Sequence, residues 1–519
     1  MVGPRAVIDT GTRVLSTGAV ACLDAAAIAG GILGIALMEA AGAAVATRAK
    51  ALLPANGAVL ALCGPGNNGG DGFVAARLLA AAEYRVALVL LGERSALNGD
   101  AALAAQAWTG AILSTIPSDL TRFDLAIDAL FGAGLSRDID GDARAMIEAV
   151  AATRMAVLAV DVPSGVDGDS GSVRGVALPA VETITFVGLK PAHLLEPGRG
   201  LCGRVEVVQI GAGPDAIAAG LEASLPPLHK NGPDLWGAAF PRLTGASHKY
   251  TRGHAVVLSG PATRTGAARL AARGALRVGA GLVTVASPAG ALAENAAHLT
   301  AIMLRRCEDP DDLDDLLADE RLNVILLGPG LGVGEPTRDR IGVAASAGRS
   351  LVLDADALTS FAGEAKHLAG LLADGGGEAV LTPHAGEFAR LFDGTSVLRG
   401  GSKVDRARAA AALMKAVVVF KGSDTVIAHP DGRAAINAHG SPYLGTAGSG
   451  DVLGGFIAGL LAQGMPPFEA ACTAVWLHGD AGLRHGPGLI AEDLPELMPA
   501  VLSGLAERLS AAPPTLAHR

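Results

Sequence analysis

Short apolar runs that end in loops of glycine and acid recur along this chain, and they limit its fold more than any other feature. Gly57 to Cys63 reads GAVLALC and runs straight into GPGNNGGDG, Gly64 to Gly72, after which a helix is expected from Phe73 to Ala82. Arg85 to Leu91, Asp124 to Leu130, Met155 to Val160, Thr183 to Val187 and Val205 to Ile210 read as further strands. Runs of this length without polar alternation are buried on both faces. Helical segments between them make βαβ units, so a mainly parallel sheet is expected. Ligands of such sheets bind beyond the carboxyl ends of the strands. Three loops leave those ends with Gly and Asp: Asn67 to Asp71, Asp128 to Leu135 and Asp161 to Asp167.

The second half repeats the pattern. His254 to Ser259, Leu282 to Ala286, Val324 to Leu327, Leu351 to Asp354, Ala379 to Leu381 and Val417 to Phe420 read as strands, most of them separated by helices. From Gly213 to Ala246 the periodicity fails at Pro226, Pro227, Pro233 and Pro241. With 519 residues exceeding a single core, a first α/β domain is expected over 1–215, a linker over 216–245 and a second α/β domain over 246–519. The formal charge of -10 argues against a nucleic-acid or anionic-membrane surface. Mean hydropathy is positive, at +0.40, which raises the question of a membrane span. The run between Asp24 and Glu39 is shorter than the roughly 18 residues a span needs. Gly454, Gly455, Gln463 and a proline pair interrupt the run between Asp451 and Glu469. Both are expected as buried helices. The opening MVGPRAVIDTGTRV has no signal-peptide core, and Cys22, Cys63, Cys202, Cys307 and Cys472 show no C-x-x-C spacing. Buried free thiols and a cytoplasmic location are therefore expected.

Two glycine-rich stretches carry candidate chemistry. Gly445 to Gly455, GTAGSGDVLGG, holds a single acid, Asp451, ahead of an apolar helical run from Val452 to Leu461. Glycines before a helix free its first N–H groups to face an anion, and the helix dipole adds positive charge there. An acid at that spot suits a base that takes a proton from a hydroxyl while the N–H groups hold a phosphoryl group. A tight turn with an N-capping Asp is the plainer alternative. KGSDT, Lys421 to Thr425, offers a lysine and backbone N–H groups to phosphates. GPGLG at Gly328, DADAL at Asp354 and TPHAGEF at Thr382 complete five candidate loops, and no Walker A motif occurs. In the first half, Gly64, Gly66 and Gly69 match the G-x-G-x-x-G of dinucleotide-binding dehydrogenases. Asp71, at the expected helix start, would repel a pyrophosphate. The amides of Asn67 and Asn68 and the paired aspartates suit a polar ligand and a hard cation.

The motifs LMEAAG, GPGNNGGDGFVAARLL, DALFGAGL, DVPSGVDG and FVGLKPAHLLEPGRG, in that order over about residues 10 to 213, resemble the epimerase domain of NAD(P)H-hydrate repair enzymes. The resemblance implies a Rossmann-like domain with potassium on Asn68, Asp128 and Ser164. It implies hydrate contacts at Asn67, Asn68, Gly69, Gly70 and Asp71, at Gly132, Ala133, Gly134, Leu135, Ser136, Arg137 and Asp138, and at Asp161, which also takes the acid–base role. The reaction implied interconverts the R and S forms of hydrated NADH and NADPH. The five loops of the second half, over about residues 246 to 508, resemble the ribokinase-like dehydratase domain of the same enzymes. That likeness implies hydrate binding at Ala267, Gly332, His384 and Asp451. It implies ADP or ATP, with Mg²⁺, at Lys421, Gly422, Ser423, Asp424, Thr425 and Gly450. An isomerase and a lyase in one chain follow, with a homo-oligomer and no nucleic-acid or membrane partner expected. A small-molecule kinase would have no use for the first domain. A nucleotide-sensing scaffold would have no need of both Asp161 and Asp451. An NAD dehydrogenase rests on the glycine match alone.

Overall fold

The computed structural model describes residues 11–511. Residues 1–10, in the stretch read as lacking a signal segment, and 512–519, at the end of the expected second domain, lie outside the described residues. The chain divides into two compact units between Leu228 and His229.

The first unit contains β1 (Ala58–Cys63), β2 (Arg85–Leu90), β3 (Ile112–Leu113), β4 (Leu125–Ala129), β5 (Ala156–Val160), β6 (Glu182–Phe186) and β7 (Arg204–Val208). They form one sheet in the order β3-β2-β1-β4-β5-β6-β7, with every pairing parallel. Successive residues feed different cores: Val59, Ile127 and Leu158 belong to one cluster, Leu60, Ala126 and Val157 to another. That is why the strands show no polar alternation. The strand order reverses direction between β1 and β4, so the loops after these two strands part and leave a crevice.

The helix after β1 spans Asn67–Ala81 and so begins well before Phe73. Gly69, Gly70 and Gly72, expected in a loop, lie inside its first two turns. A Cβ on Gly69 would lie 1.9 Å from the Gly64 carbonyl oxygen, one on Gly70 2.5 Å from Met38 Sδ, and one on Gly72 2.7 Å from Ala129 Cβ. Glycine in a helix costs about 1 kcal/mol relative to alanine. Close seating of the helix on β1 and β4 outweighs that cost here. Asp71, placed by the sequence reading at the helix start, is therefore in its second turn and turned into the protein.

The second unit holds a sheet in the order β11-β10-β9-β12-β13-β14-β15-β16-β17-β8. The strands are β8 (Leu228–Lys230), β9 (His254–Leu258), β10 (Leu282–Ser287), β11 (Met303–Arg306), β12 (Val324–Leu327), β13 (Ser350–Leu353), β14 (Ala379–Leu381), β15 (Val417–Phe420), β16 (Val426–Ala428) and β17 (Ala434–Ile436). From β11 to β15 the pairings are parallel, and β15, β16 and β17 form antiparallel hairpins. The reversal of order falls between β9 and β12. The helix Ser449–Ala462 starts three residues earlier than the apolar run suggested and packs on the helix Gly266–Val278. A Cβ on Gly455 would lie 2.1 Å from the Ala271 carbonyl oxygen.

The stretch read as a linker carries the helix Pro214–Ala223, β8 and the helix Pro233–Trp236. Pro214 and Pro233 are each the first residue of a helix, where a missing N–H breaks no bond. Trp236 is buried, and its Nε1 donates to Asn231 Oδ1 at 3.2 Å. Cys22 is exposed, contrary to expectation, because it falls on the outer side of its helix; the other four thiols are free and buried. No helix among the described residues is long and apolar enough to cross a membrane.

The glycine packing is testable by calorimetry. Gly342 lies inside the helix Glu335–Ser346 with nothing within 4 Å of an added Cβ, so Gly342→Ala should stabilise by about 0.5–1 kcal/mol. Gly455→Ala meets a backbone carbonyl instead and should lower the stability of the second unit by about 1–3 kcal/mol despite the same gain in propensity.

Candidate active sites

The crevice of the first unit is a cavity of about 530 Å³. Asn67, Asn68, Asp71, Gly132, Ala133, Gly134, Leu135, Ser136, Arg137 and Asp161 line it, together with Asp24 and Lys190, which the sequence reading did not single out as site residues. Gly69, Gly70 and Asp138 are not in its lining: the glycines serve helix packing, and Asp138 is exposed. Asp128 and Ser164 lie beneath, both fully buried.

Asp161 follows β5 at φ +68°, in the left-handed region that a non-glycine residue seldom adopts. Its carboxylate is anchored on the protein side, twice at Oδ1 and once at Oδ2. Lys190 Nζ lies 2.7 Å from Oδ1, Thr185 Oγ1 donates to Oδ1 at 3.0 Å, and Ala133 N donates to Oδ2 at 2.9 Å. Burial alone would push this carboxyl up; Lys190, with the hydrogen bonds and His193, brings it down to about 2. Asp71 goes the other way: burial, then Asp161 and Asp24, push it well above the usual carboxylate range. Burial also raises Asp24, in the helix Thr17–Ala29. One lysine thus stands among three acids and ionises the acid it touches.

Asp128 is tied to Ser164. Ser164 N donates to Oδ2 at 2.7 Å, Ser164 Oγ donates to Oδ1 at 2.5 Å, and Phe131 N donates to Ser164 Oγ at 2.9 Å. Burial, partly offset by these bonds, sets the Asp128 carboxyl at about 6. Asn68 Nδ2 is buried without a partner. Among the described residues no three His, Cys, Asp or Glu side chains gather as a metal-ligand cluster. A mixed amide, carboxylate and hydroxyl set is what a hard monovalent ion takes.

In the second unit Lys421, Gly450, Asp451 and His384 gather around Asp354 and Glu387 at the carboxyl edge of the sheet. Asp451 is the third residue of the helix Ser449–Ala462, whose N-cap is Gly448 at φ +85° with no side-chain cap. Asp451 therefore does not act as the capping residue, and Gly450 and Asp451 present N–H groups with no acceptor in the first turn. Burial and then Asp354 push the Asp451 carboxyl up to about 6, with Lys421 opposing. Lys421, at the end of β15, donates to Asp354 Oδ1 at 2.8 Å and lies 3.9 Å from Glu387 Oε2. Desolvation disfavours its charge, and Asp354 and Glu387 outweigh that and raise it. A Cβ on Gly450 would lie 3.6 Å from Lys421 Nζ and 3.8 Å from Asp354 Oδ2, so this loop packs on the ion pair.

His384, N-cap of the helix Ala385–Leu391, is tied to the same cluster. Its backbone N–H donates to Glu387 Oε2 at 2.9 Å, and its Nδ1 accepts from Gly386 N at 2.9 Å. Its ring is half exposed. Gly332, at φ +90°, donates to Asp356 Oδ2 at 2.8 Å. In KGSDT, Thr425 Oγ1 donates to Gly422 O at 2.8 Å and closes the turn. Asp424 is paired with Lys403 at 2.5 Å, a lysine the sequence reading missed; its only signal is a lone basic residue at a helix start. Ser423 completes that turn, and Ala267 occupies the first turn of the helix Gly266–Val278. A separate cavity of about 810 Å³, lined by His254, Leu282 and Asn323 among others, lies at the opposite, amino edge of this sheet, and no candidate site residue borders it.

The fold and sites define an α/β protein of two units, each with an aspartate beside a glycine-rich stretch at its sheet's carboxyl edge. Residues 255–495 match a family model described as NAD(P)H-hydrate dehydratase, and residues 34–192 match one described as YjeF-related protein N-terminus. The bifunctional NAD(P)H-hydrate repair enzyme of Moorella thermoacetica is 37% identical over 492 residues, covering 88% of this chain and 89% of its own. That of Escherichia coli is 34% identical over 447 residues, covering 84% and 83%. A crystal structure of the ADP/ATP-dependent NAD(P)H-hydrate dehydratase of Bacillus subtilis, co-crystallised with ATP and Mg²⁺, is 30% identical, with a TM-score of 0.48, and covers 53% of this chain and 98% of its own. The chain belongs to the family of bifunctional NAD(P)H-hydrate repair enzymes.

The Lys421–Asp354 pair should show in stability before any ligand is added. Lys421→Met leaves a buried carboxylate unpaired and should cost the second unit about 3–5 kcal/mol. Adding Asp354→Asn should return part of that loss. Denaturant titration of the two single variants and the double variant measures the coupling.

Proposed function

We propose that the first unit interconverts the R and S hydrates of NADH and NADPH, and that the second dehydrates the S form at the expense of ADP or ATP. The observation that carries this reading is the contrast between the two acids: Asp161 held down to about 2, Asp451 pushed up to about 6. Each state suits its step. Hydration of a dihydronicotinamide puts the hydroxyl on a ring carbon next to nitrogen. In the first unit that C–O bond breaks with its electron pair on oxygen, the leaving hydroxide takes a proton, and the nitrogen lone pair forms an iminium. Water adds on the other face and gives up a proton, restoring the balance. Asp161, ionised at any physiological pH, stabilises the iminium charge and accepts from the incoming water. Asp71 and Asp24, whose carboxyls burial pushes up, are the groups placed to offer a proton.

In the second unit Asp451 takes the ring hydroxyl proton as the oxygen attacks the terminal phosphorus, and the nucleotide leaves one phosphate shorter. Gly450 N–H and Lys421 face the transferred group. The ring C–O bond then breaks with its electron pair on the departing phosphate, the neighbouring ring carbon loses a proton, and the double bond returns. Mg²⁺ would travel on the nucleotide phosphates. Asn68, Asp128 and Ser164 would hold potassium; the Asn68 amide oxygen, the buried Asp128 carboxylate and the Ser164 hydroxyl are the oxygen donors that fit a hard cation there. Potassium would supply fixed positive charge beneath the crevice. The contacts expected at Gly132 to Asp138, Ala267, Gly332 and His384, a cytoplasmic location and a homo-oligomer belong to this same reading.

Incubation with mixed hydrates, with and without nucleotide, tests it. Cofactor absorbance should return one-for-one with phosphate released, and nucleotide-independent repair would overturn the second half. Asp451→Asn should slow dehydration about 10²- to 10⁴-fold and leave R-to-S exchange intact, while Asp161→Asn does the reverse. Chromatographic separation of the epimers reads both. Because the Asp451 carboxyl must be ionised to accept a proton, kcat/KM for dehydration should fall about tenfold per pH unit below about 6 and level off above it. Replacing potassium with a large organic cation should slow epimerisation alone.

A further inference from the structure

We propose that Lys190 is a positioning residue of the first site: it fixes the Asp161 carboxylate in one orientation, Oδ1 locked into the protein and Oδ2 left facing the crevice. This rests on the epimerase reading above. The ammonium has three N–H donors, and all three are spent. They go to Asp161 Oδ1 at 2.7 Å, Thr185 Oγ1 at 2.8 Å and the Phe186 carbonyl at 3.1 Å. With its side chain 2% exposed, Lys190 has no donor left for a ligand. Thr185 Oγ1 donates to the same Oδ1, so that oxygen is taken twice.

Oδ2 has only the Ala133 N–H. A point where a Cβ on Gly132 would stand is 3.2 Å from Oδ2 and 3.1 Å from Asn68 Oδ1. Because residue 132 is glycine, no side chain stands between these two oxygens and the crevice. Lys190 thereby decides which oxygen of Asp161 meets the substrate.

His193 locks the same unit from behind. Lys190 N donates to His193 Nδ1 at 2.9 Å, which places the ring hydrogen on Nε2 for donation to the Asp161 carbonyl at 2.9 Å. The loop from Lys190 to His193 therefore clamps both the side chain and the left-handed backbone of Asp161. The groups facing Asp161 are Lys190 and His193 from this loop, Asp71 from the helix Asn67–Ala81, Asp24 from the helix Thr17–Ala29, and Cys202. Lys190 is the one charged amine among them.

The test uses the full chain at constant saturating potassium. Lys190→Ala should lower the epimerisation kcat about 10²-fold or more, with KM within about threefold. Ethylammonium, which fits the space the side chain leaves beside the crevice and donates hydrogen bonds, should return at least about tenfold of the loss. Tetramethylammonium, which has no N–H, should return nothing. Lys190→Met fills that space and should be slow and unresponsive to amine, and it serves if Lys190→Ala does not fold. Asp161→Asn combined with Lys190→Ala should show no rescue, since the amine acts through Asp161. Thermal unfolding of each variant reads folding separately. A wild-type chain that does not exchange the epimers overturns the epimerase reading itself. A wild-type chain that exchanges them overturns the role of Lys190 alone in three cases: either variant keeps kcat within threefold, the loss falls on KM, or folded Lys190→Ala ignores the amine.

Discussion

A lysine ammonium buried against an aspartate stands at the carboxyl edge of both sheets, and each site takes its character from it. Bringing an ammonium and a carboxylate out of water costs several kcal/mol for each ion, recovered only where the geometry is good and every donor is used. Lys190 meets that condition with three acceptors, and Lys421 lies between Asp354 and Glu387. The two units put the same pair to different ends. In the first, the lysine touches the acid that lines the crevice, so that acid is ionised. In the second, the lysine is taken by Asp354, and Asp451 stands outside the pair next to a second negative charge. Burial, and then that neighbouring charge, raise its carboxyl to about 6. Burial raises both acids, and the lysine overcomes it only in the acid it touches.

Both pairs also adjoin strained backbone. Asp161 follows β5 at φ +68° and Ala355 follows β13 at φ +51°. Neither is glycine, and such residues cost about 1–3 kcal/mol each and persist where surrounding contacts over-determine them. His193 supplies that restraint for Asp161 through its carbonyl, and for Ala355 the neighbouring Asp354 is anchored by Lys421. The strain turns the chain sharply at the strand end, which aims the acid across the edge of the sheet.

Much of this was legible in the residues. Apolar runs with no alternation require strands covered on both faces, and the two cores fed by Val59 and Leu60 show why. Asp161, Asp451 and Lys421 were visible because acid and lysine beside glycine at strand ends are hard to explain by packing. Helix starts were misread at Asn67 and Ser449 for the opposite reason. Glycine marks loops by propensity, and only the carbonyls of Gly64 and Ala271 explain its place inside a helix. Lys190, Asp24 and Lys403 escaped because their roles are pairings across distant elements. A lysine between Leu189 and Pro191 carries no periodic signal.

The glycines of the helix Asn67–Ala81 have one more consequence. Because the helix is pressed onto β1 and β4 by contacts too close for any side chain, Asn67, Asn68 and Asp71 take their positions from the sheet rather than from a ligand. The crevice is shaped at the moment the domain folds. Little ordering entropy is left for the substrate to supply when it arrives, so binding energy remains available for distorting the ring instead of assembling the pocket.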